Sequence, residues 1–289
     1  MYDTIIIGAG PSGMSAAIYL KNANKNVVIF EKEVPGGKIL KAKKINNYLG
    51  FNSKEPSEIS YDMYKQVTDL GINILMEKVI DVKKENDEII VTTNKGEYKS
   101  KTLLIACGRI EKSLEIDNES SLIGKGISYC AECDGSLYKD KIVMVVGNSD
   151  TSKEEAIYLS NLASKIYYIN YSNDNVTFDK ENIEIINNQK IISLNEENDR
   201  LNSVTLSNNE EIKVDGLFIL NGYAPNTEFI KNLNIKEDNG YIIVSENMAT
   251  NIKGVYAAGD IIKKDLYQIV TAASDGAVSA INIIKELNK

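Results

Sequence analysis

The chain alternates short apolar runs with stretches of helical periodicity, and this pattern predicts an α/β protein. The first apolar run, residues 4–7, is rich in isoleucine and is typical of a buried parallel strand. Small and apolar side chains then recur at helical spacing between Met14 and Leu20, which predicts a helix. A second apolar strand is predicted over residues 26–30, and Glu31 follows it directly.

Three glycines stand between the first strand and the helix, and Gly8, Gly10 and Gly13 give the pattern G-x-G-x-x-G. In a dinucleotide-binding turn the first glycine permits the tight turn, the second lets the pyrophosphate approach, and the third lets the helix pack closely on the sheet. Glu31 follows at about 20 residues, where an acid accepts hydrogen bonds from ribose hydroxyls. The glycines alone also fit an ordinary turn, but strand, helix and acid together predict a dinucleotide site.

Residues 141–174 repeat this organisation further along the chain. A strand is predicted over residues 142–146, followed by a turn, an amphipathic helix and a second strand over residues 164–170. The repetition indicates an internal duplication of a dinucleotide-binding module.

Two other apolar segments resemble the supplementary motifs of FAD-binding disulfide reductases. Residues 102–108 form an apolar strand that ends in small residues, and residues 250–260 end in Gly259 and Asp260. The resemblance implies that this aspartate binds the ribityl or phosphate region of the flavin. Taken singly, each segment also fits an ordinary core strand and Asp260 a helix cap, but together they favour FAD over NAD.

Composition narrows the possible partners. The chain of 289 residues has a net charge of −8, which argues against nucleic-acid binding because phosphate contacts need clustered cations. No apolar run approaches the roughly 20 residues of a membrane helix. The strand that begins at Thr4 leaves no room for a signal peptide. We therefore expect a cytoplasmic protein with no membrane partner.

Two of the three cysteines, Cys130 and Cys133, form a C-x-x-C pair that is followed by Asp134. Such a pair is structural, metal-binding or redox-active. Zinc needs four ligands, and the chain offers only Cys107 as a further thiol and no histidine. A C-x-x-C at a helix start has a lowered thiol pKa, which favours redox chemistry. Without histidine, Asp134 is the nearest proton carrier, although it also fits a helix cap, and Cys107 is expected to be a small buried side chain.

Over essentially its whole length the chain resembles the low-molecular-weight thioredoxin reductase family. The motifs that carry the resemblance occur in this order: AGPSG (9–13), GGKIL (36–40), NNYLGF (46–51), CAECDG (130–135), SDTSKEEA (149–156), GYAPNT (222–227), AAGD (257–260) and QIVTAASDGAVSA (268–280). The resemblance implies an α/β fold of two Rossmann-like, three-layer ββα dinucleotide-binding domains, the second inserted in the first. We expect the FAD-binding domain over residues 1–112 and 242–289, and a NAD(P)H-binding-like domain with the C-x-x-C pair over residues 113–241.

The resemblance also implies functional roles. Cys133 is expected to face the flavin, Cys130 to attack the disulfide of a thioredoxin, and Asp134 to exchange the proton. One FAD per chain and a homodimer are expected, with domain rotation at hinges near residues 111–113 and 240–242. The expected FAD contacts are Gly8, Gly10, Pro11, Ser12, Gly13, Glu31, Lys32, Gly37, Lys38, Ile39, Asn47, Val79, Ala106, Gly108, Gly259, Asp260, Gln268, Ile269 and Val270.

The second module departs from the family pattern where the family binds NADPH. Ser149 and Ser152 stand at glycine or alanine positions, and their side chains are expected to crowd a pyrophosphate and to hold the helix off the strand. Residues 170–174, where the family has a histidine and arginines, are Asn, Tyr, Ser, Asn and Asp. Tyr267 replaces the arginine that precedes Gln268 in the family. We therefore expect that NADPH is not the physiological donor.

The chain resembles a ferredoxin-dependent branch of flavin thioredoxin reductases that lacks the NADPH motifs. Plant-type ferredoxins have potentials near roughly −400 mV, and thioredoxin lies near about −270 mV, so electron transfer in this direction is downhill. Lys38, Lys41, Lys43 and Lys44 are expected to form a basic patch that docks an acidic ferredoxin. An ordinary solvated loop is the simpler interpretation of these lysines.

Three other functions stay open. The first is an NADPH-dependent thioredoxin reductase with a degenerate cofactor clamp. The second is a disulfide reductase that binds another flavin or nucleotide in the altered module. The third is a non-enzymatic FAD-binding redox sensor, which the intact C-x-x-C pair and its adjacent aspartate argue against.

Overall fold

The computed structural model describes residues 1–42, 45–51, 54–171 and 176–289, which form two compact units. Unit one comprises Met1–Ile110 and Ala224–Lys289, and unit two comprises Glu111–Tyr223. The helices are α1 (Pro11–Asn22), α2 (Pro56–Asp69), α3 (Ala131–Asp134), α4 (Asp150–Ser160) and α5 (Ile269–Leu287). The strands are β1 (Tyr2–Ile7), β2 (Val27–Glu31), β3 (Asn73–Met76), β4 (Val79–Glu85), β5 (Glu88–Thr93), β6 (Glu97–Ile105), β7 (Arg109–Glu111), β8 (Ile127–Ser128), β9 (Ile142–Val146), β10 (Lys165–Asn170), β11 (Ile183–Asn187), β12 (Ile191–Glu197), β13 (Arg200–Leu206), β14 (Glu211–Lys213), β15 (Gly216–Ile219), β16 (Tyr223–Pro225), β17 (Glu237–Asp238), β18 (Tyr241–Ile242) and β19 (Val255–Ala257).

Unit one is built on a seven-stranded sheet ordered β3-β2-β1-β6-β5-β4, in which β19 also pairs with β6. Strand β1 runs parallel to β2 and β6, whereas β4, β5 and β6 pair antiparallel. Successive side chains of β1 point to opposite faces, so Ile5 and Ile6 lie in two different core clusters. Because β1, β2 and β6 run parallel, their carboxyl ends lie at the same edge of the sheet. Helix α1 begins at this edge.

Unit two combines a parallel five-stranded sheet, ordered β11-β10-β9-β15-β8, with an antiparallel sheet formed by β12, β13 and β14. Val143 and Val145 of β9 pack in the cluster that includes Ala156 of α4, and Met144 packs in the cluster that includes Val204 of the antiparallel sheet. The unit thus has three layers, namely helix, parallel sheet and antiparallel sheet. The predicted α/β class with one dinucleotide-type module inserted in another is confirmed.

The second boundary between the units differs from the expected one. It lies between Tyr223 and Ala224 and not between residues 241 and 242. The reason is packing, because Ile230 and Leu233 are buried in the same cluster as Val82 of β4. Residues 224–241 therefore belong to unit one. The two chain crossings, β7 and β16, pair with each other as a short two-stranded sheet.

No helix in the described part of the chain is long and apolar enough to cross a membrane.

Candidate active site

The three positions of the first turn are glycine for different steric reasons. A Cβ at Gly8, whose φ is +107°, would lie 2.5 Å from the carbonyl oxygen of Ala106, and a Cβ at Gly13 would lie 2.0 Å from that of Gly8. A Cβ at Gly10 would meet no atom within 4 Å. Gly8 and Gly13 are therefore required by the packing of the protein itself. The open space beside Gly10 is the space that an approaching pyrophosphate requires.

The first turn of α1 offers unused donors beside that space. Gly10 is the N-cap and supplies no side-chain cap, and Pro11 occupies the first helical position. The hydroxyl oxygen of Ser12 is buried and has no hydrogen-bond partner within the described residues. A Cβ at Gly259 would lie 2.9 Å from the Ser12 Cβ, so the two segments are in close contact. A helix N-terminus with a spare hydroxyl suits a phosphate group, so these residues fit the pyrophosphate of a dinucleotide.

Glu31 holds the glycine turn in place and also lines the cleft beside it. One carboxylate oxygen accepts the N–H of Ala9 at 2.8 Å, and the other accepts the N–H of Glu33 at 2.9 Å. Ribose hydroxyls would be additional donors to these oxygens. The cleft at this edge of the sheet brings together four expected cofactor contacts, and these are Gly8, Glu31, Lys32 and Val79.

Cys107 lines the same cleft, although it was expected to be only a buried side chain. Burial raises the pKa of its thiol to about 12. The thiol therefore stays protonated at neutral pH and is a poor nucleophile.

Asp260 lies in a network of charges in unit one. Its carboxylate is 3.8 Å from the Lys38 ammonium and 3.6 Å from the Arg109 guanidinium. The guanidinium carbon also lies 3.8 Å from the centre of the Tyr267 ring, a cation–π arrangement. Arg109 directly follows Gly108, an expected contact, and sequence reasoning missed it. Its rarity was the available signal, since the chain has only one other arginine, Arg200.

A second acid supports the Gly259 turn. Asp275 of α5 accepts the N–H of Gly259 at 3.2 Å and pairs with the Lys264 ammonium at 2.6 Å. Both side chains of that pair are largely buried. Sequence reasoning missed this pair too, because neither residue belongs to the glycine-aspartate motif that it supports.

Several of the remaining expected FAD contacts of unit one lie at the start of α5. The amide of Asn47 donates to the side-chain oxygen of Gln268 at 2.9 Å, and Gln268 is the N-cap of α5. Ile269 packs against the small cluster that holds Ile39. The turn at Gly37 approaches Gly10, because a Cβ on Gly37 would lie 3.7 Å from the Gly10 Cα. Ala106 is buried and Val270 is exposed.

Only part of the expected basic patch lies within the described residues. Lys43 and Lys44 lie outside the described residues, as does the side chain of Lys41. The Lys38 ammonium is buried and points to Asp260. Lys38 therefore belongs to the charge network around Asp260 more than to an exposed docking surface.

In unit two, Cys130 and Cys133 form a disulfide with a Cα–Cα separation of 5.3 Å. Cys130 is the N-cap of α3, and its sulfur accepts the N–H of Cys133 at 3.1 Å. Because a backbone donor and a helix start both favour negative charge, the thiolate of reduced Cys130 is stabilised.

Asp134 is held close to the disulfide by Ser128. The Ser128 hydroxyl donates to the Asp134 carboxylate at 2.7 Å and accepts the N–H of Cys130 at 3.1 Å. The hydroxyl of Tyr129, the residue before Cys130, donates to the buried carboxylate of Glu119. Burial and this carboxylate raise the pKa of Tyr129. These contacts fix the strand that leads into the dithiol, and neither Ser128 nor Glu119 was identified from the sequence.

The altered turn of the second module caps its own helix. The Ser149 hydroxyl accepts the N–H of Ser152 at 3.1 Å, and the Ser152 hydroxyl accepts the N–H of Ser149 at 3.0 Å. The Ser152 hydroxyl also lies 3.1 Å from that of Tyr168, which donates to the Gly147 carbonyl at 2.7 Å. Two of the backbone N–H groups that a pyrophosphate would use at the start of α4, those of Ser149 and Ser152, are therefore already hydrogen-bonded within the chain.

One expectation about this turn is wrong. Ser152 does not hold α4 off the sheet, because its side chain is buried beneath the turn and Ala156 still packs against the strands. The serine fits because residue 147 is glycine, where a Cβ would lie 2.4 Å from the Ser152 Cβ.

The end of β10 is neutral where it is described. The amide of Asn170 donates to the side chain of Asn187 at 3.0 Å, and Asn170 is buried. Burial raises the pKa of Tyr171, so its hydroxyl stays neutral. Residues 172–174 lie outside the described residues.

This chain is similar in sequence and in structure to known proteins. A family model described as pyridine nucleotide-disulphide oxidoreductase matches residues 2–276. The thioredoxin reductase of Bacillus subtilis (strain 168) is 36% identical, over 97% of this chain and 93% of that protein. The crystal structure of Lactococcus lactis thioredoxin reductase in its FR conformation matches with a TM-score of 0.79 at 30% identity, covering 100% of this chain and 99% of that chain. A ferredoxin-flavin thioredoxin reductase from Clostridium acetobutylicum matches with a TM-score of 0.59 at 32% identity, covering 99% of this chain and 98% of that chain.

Proposed function

The chain belongs to the pyridine nucleotide-disulphide oxidoreductase family as a flavin-dependent thioredoxin reductase, and we propose that it takes its electrons from a ferredoxin-type carrier and not from NADPH. The observation that carries this proposal is the cap that Ser149 and Ser152 place on α4. The family uses this helix start for the pyrophosphate of its coenzyme, whereas here the N–H groups of Ser149 and Ser152 are bonded within the chain. The neutral side chains of Asn170 and Tyr171 support the same proposal, since a 2′-phosphate is held by cations.

The comparisons are compatible with either donor. The Bacillus subtilis and Lactococcus lactis proteins carry the name thioredoxin reductase without a donor. The Clostridium acetobutylicum protein carries ferredoxin in its name. The local chemistry of unit two, and not the degree of similarity, therefore favours the carrier protein.

The potentials permit this direction of transfer. Plant-type ferredoxins lie at roughly −400 mV and thioredoxin at about −270 mV, a gap of about 130 mV. For two electrons this gap corresponds to about 6 kcal/mol in favour of thioredoxin reduction. FAD, when bound, supplies the link between carriers that deliver single electrons and a disulfide that takes two.

The dithiol residues divide the remaining work. Reduction breaks the Cys130–Cys133 bond, puts two electrons on the sulfur atoms and requires a proton for one of them. Asp134, fixed by Ser128, is the proposed proton carrier. Cys130 is the proposed nucleophile toward thioredoxin, because the Cys133 N–H and the start of α3 stabilise its thiolate. Cys133 is then the sulfur that exchanges electrons with the flavin.

An anaerobic reconstitution tests this function. The FAD-loaded protein is mixed with a thioredoxin and with reduced ferredoxin, NADPH or NADH, and the free thiols of thioredoxin are measured. We expect thioredoxin reduction with ferredoxin, and less than a tenth of that rate with NADPH or NADH at micromolar concentration. A tenfold loss of affinity corresponds to about 1.4 kcal/mol of lost coenzyme binding. Cys130→Ser should stop thioredoxin reduction but not flavin reduction, and the exposed Ser136→Ala should change neither. Equal rates with NADPH would favour the degenerate-clamp alternative.

A further inference from the structure

A half-buried carboxyl group lies beside the dithiol and has no role in the steps above. Glu155 is in the second turn of α4, and its carboxylate faces the backbone N–H of Ala131, the residue after Cys130. One of its oxygens is buried and has no hydrogen-bond partner within the described residues. Burial, followed by the negative charge of Glu132, raises the pKa of Glu155 to about 7.

Helix α4, which carries Glu155, packs against α3. Ala131 and Ala156 are fully buried in the same core cluster. Directly after α3, a Cβ at Gly135 would lie 3.0 Å from the Leu159 side chain and 3.2 Å from that of Tyr158. The two helices are therefore in tight contact, which places Glu155 of α4 near the first turn of α3.

The charges around Glu155 come mainly from α3. Glu132 is exposed, Asp134 points to Ser128, and the cysteines become a source of negative charge only when the disulfide is reduced. On α4 itself, Lys153 pairs with Asp150 at 3.0 Å.

The strands packed against α4 add no cation directed at Glu155 within the described residues. Strand β9 has no titratable side chain. On β10, the Tyr168 hydroxyl is bonded at Gly147, and the Lys165 ammonium lies over the Tyr167 ring at 4.3 Å. The charges that act on Tyr138, after α3, come from Asp134, Arg200 and Asp215.

We propose that Glu155 is a positioning residue of the dithiol, which holds the first turn of α3 and binds a proton when the disulfide is reduced. Reduction by two electrons breaks the Cys130–Cys133 bond, leaves one sulfur as a thiol and the other as a thiolate, and takes one proton for the thiol. The new thiolate repels the Glu155 carboxylate, which takes a second proton from solvent. Oxidation by thioredoxin returns that proton.

The proposal concerns the dithiol alone and does not depend on the electron donor. The FAD-loaded full chain is equilibrated with dithiothreitol redox buffers from pH 5.5 to 9, and mass spectrometry of labelled peptides measures Cys130 and Cys133 separately from Cys107. The midpoint potential of the pair is then plotted against pH for the wild type, Glu155→Gln and Glu154→Gln. Glu154 is the matched control, because it is the adjacent acid on α4 and is exposed.

We expect the wild type and Glu154→Gln to take up more protons per two electrons than Glu155→Gln just above pH 7, by at most one proton. The same pH dependence in all three proteins would overturn the proposal. A second measurement is the alkylation rate of reduced Cys130 at pH 8. It should rise several-fold in Glu155→Gln, since removing a neighbouring carboxylate lowers the thiol pKa. If Glu155→Gln does not fold, Glu155→Asp is measured in the same way and should keep the additional proton.

Discussion

At the scale of single residues, identical amino acids in one motif do different work. Gly8 and Gly13 are required by contacts with the protein backbone, whereas Gly10 borders open space. The sequence pattern predicted the role of each of the three glycines, because the motif is local and its steric demands are known. It did not predict Arg109 or Glu155, since their partners Asp260 and Ala131 are reached only through the tertiary fold.

The glycines give a matched pair of variants. Gly13→Ala should destabilise the protein by about 1–3 kcal/mol through overpacking. Gly10→Ala should leave the unfolding free energy of the apoprotein within about 0.5 kcal/mol of the wild type but weaken FAD binding. Denaturant unfolding of the apoproteins and fluorescence titration with FAD separate the two effects. A Gly10→Ala protein that binds FAD as tightly as the wild type would show that the pyrophosphate does not approach this residue.

Glu155 also predicts how stability depends on pH. Its pKa is raised from 4.5 to about 7 in the folded protein, so the unfolded chain loses this proton first as the pH rises. Folding stability should therefore fall between these two values, and the loss should be complete above the folded pKa. Glu155→Gln should be about as stable as the wild type at pH 4 and more stable at pH 8. Urea unfolding of the oxidised proteins at both pH values checks this, and a difference of equal size at both would contradict it.

At the scale of elements, the strands and helices that carry the motifs were predictable, while the domain boundary was not. Residues 142–146 were predicted as a strand and are β9, because a short β-branched run has few alternatives. The segment with Ile230 and Leu233 is apolar, but its sequence does not say which core it joins. Likewise, Ser152 was expected to separate α4 from the sheet. The structure accommodates it through Gly147 and Tyr168, a solution that depends on three separate segments.

The cap of α4 predicts a trade between stability and nucleotide binding. Ser149→Gly with Ser152→Ala removes the reciprocal cap and frees backbone donors at the helix start. The double variant should lose about 1 kcal/mol of unfolding free energy, mainly through the hydrogen bonds of the buried Ser152 hydroxyl, and bind an adenine dinucleotide more tightly than the wild type. Calorimetric titration with NADH and NADPH measures the second effect. Ser160→Ala, near the other end of α4, is the control, and unchanged nucleotide affinity in the double variant would show that the cap does not limit binding.

At the scale of the whole molecule, the net charge of −8 is unfavourable for an acidic partner unless cations are concentrated locally. The sequence places Lys41, Lys43 and Lys44 within four residues. Replacing these three lysines by glutamate should slow ferredoxin-driven thioredoxin reduction by about 10-fold or more at low salt, since steering charges act mainly on association. Reduction of the flavin by dithionite should be unaffected.

The control for this prediction is the same charge reversal at Lys190, Lys213 and Lys236, which are exposed elsewhere on the chain. The two triple variants have the same net charge. The rates of ferredoxin-driven thioredoxin reduction are measured in both triple variants at several ionic strengths. Equal rates would show that Lys41, Lys43 and Lys44 do not form the docking surface. The proposed donor would then be supported by the α4 cap alone.

The most direct measurement is stopped-flow absorbance of the flavin in the anaerobic FAD-loaded protein, with NADPH and reduced ferredoxin at equal micromolar concentrations. We expect ferredoxin to bleach the flavin band within the turnover time of thioredoxin reduction, and NADPH to bleach it at least about 100-fold more slowly, a difference of about 2.7 kcal/mol. Bleaching by NADPH at the same rate as by ferredoxin would contradict this expectation.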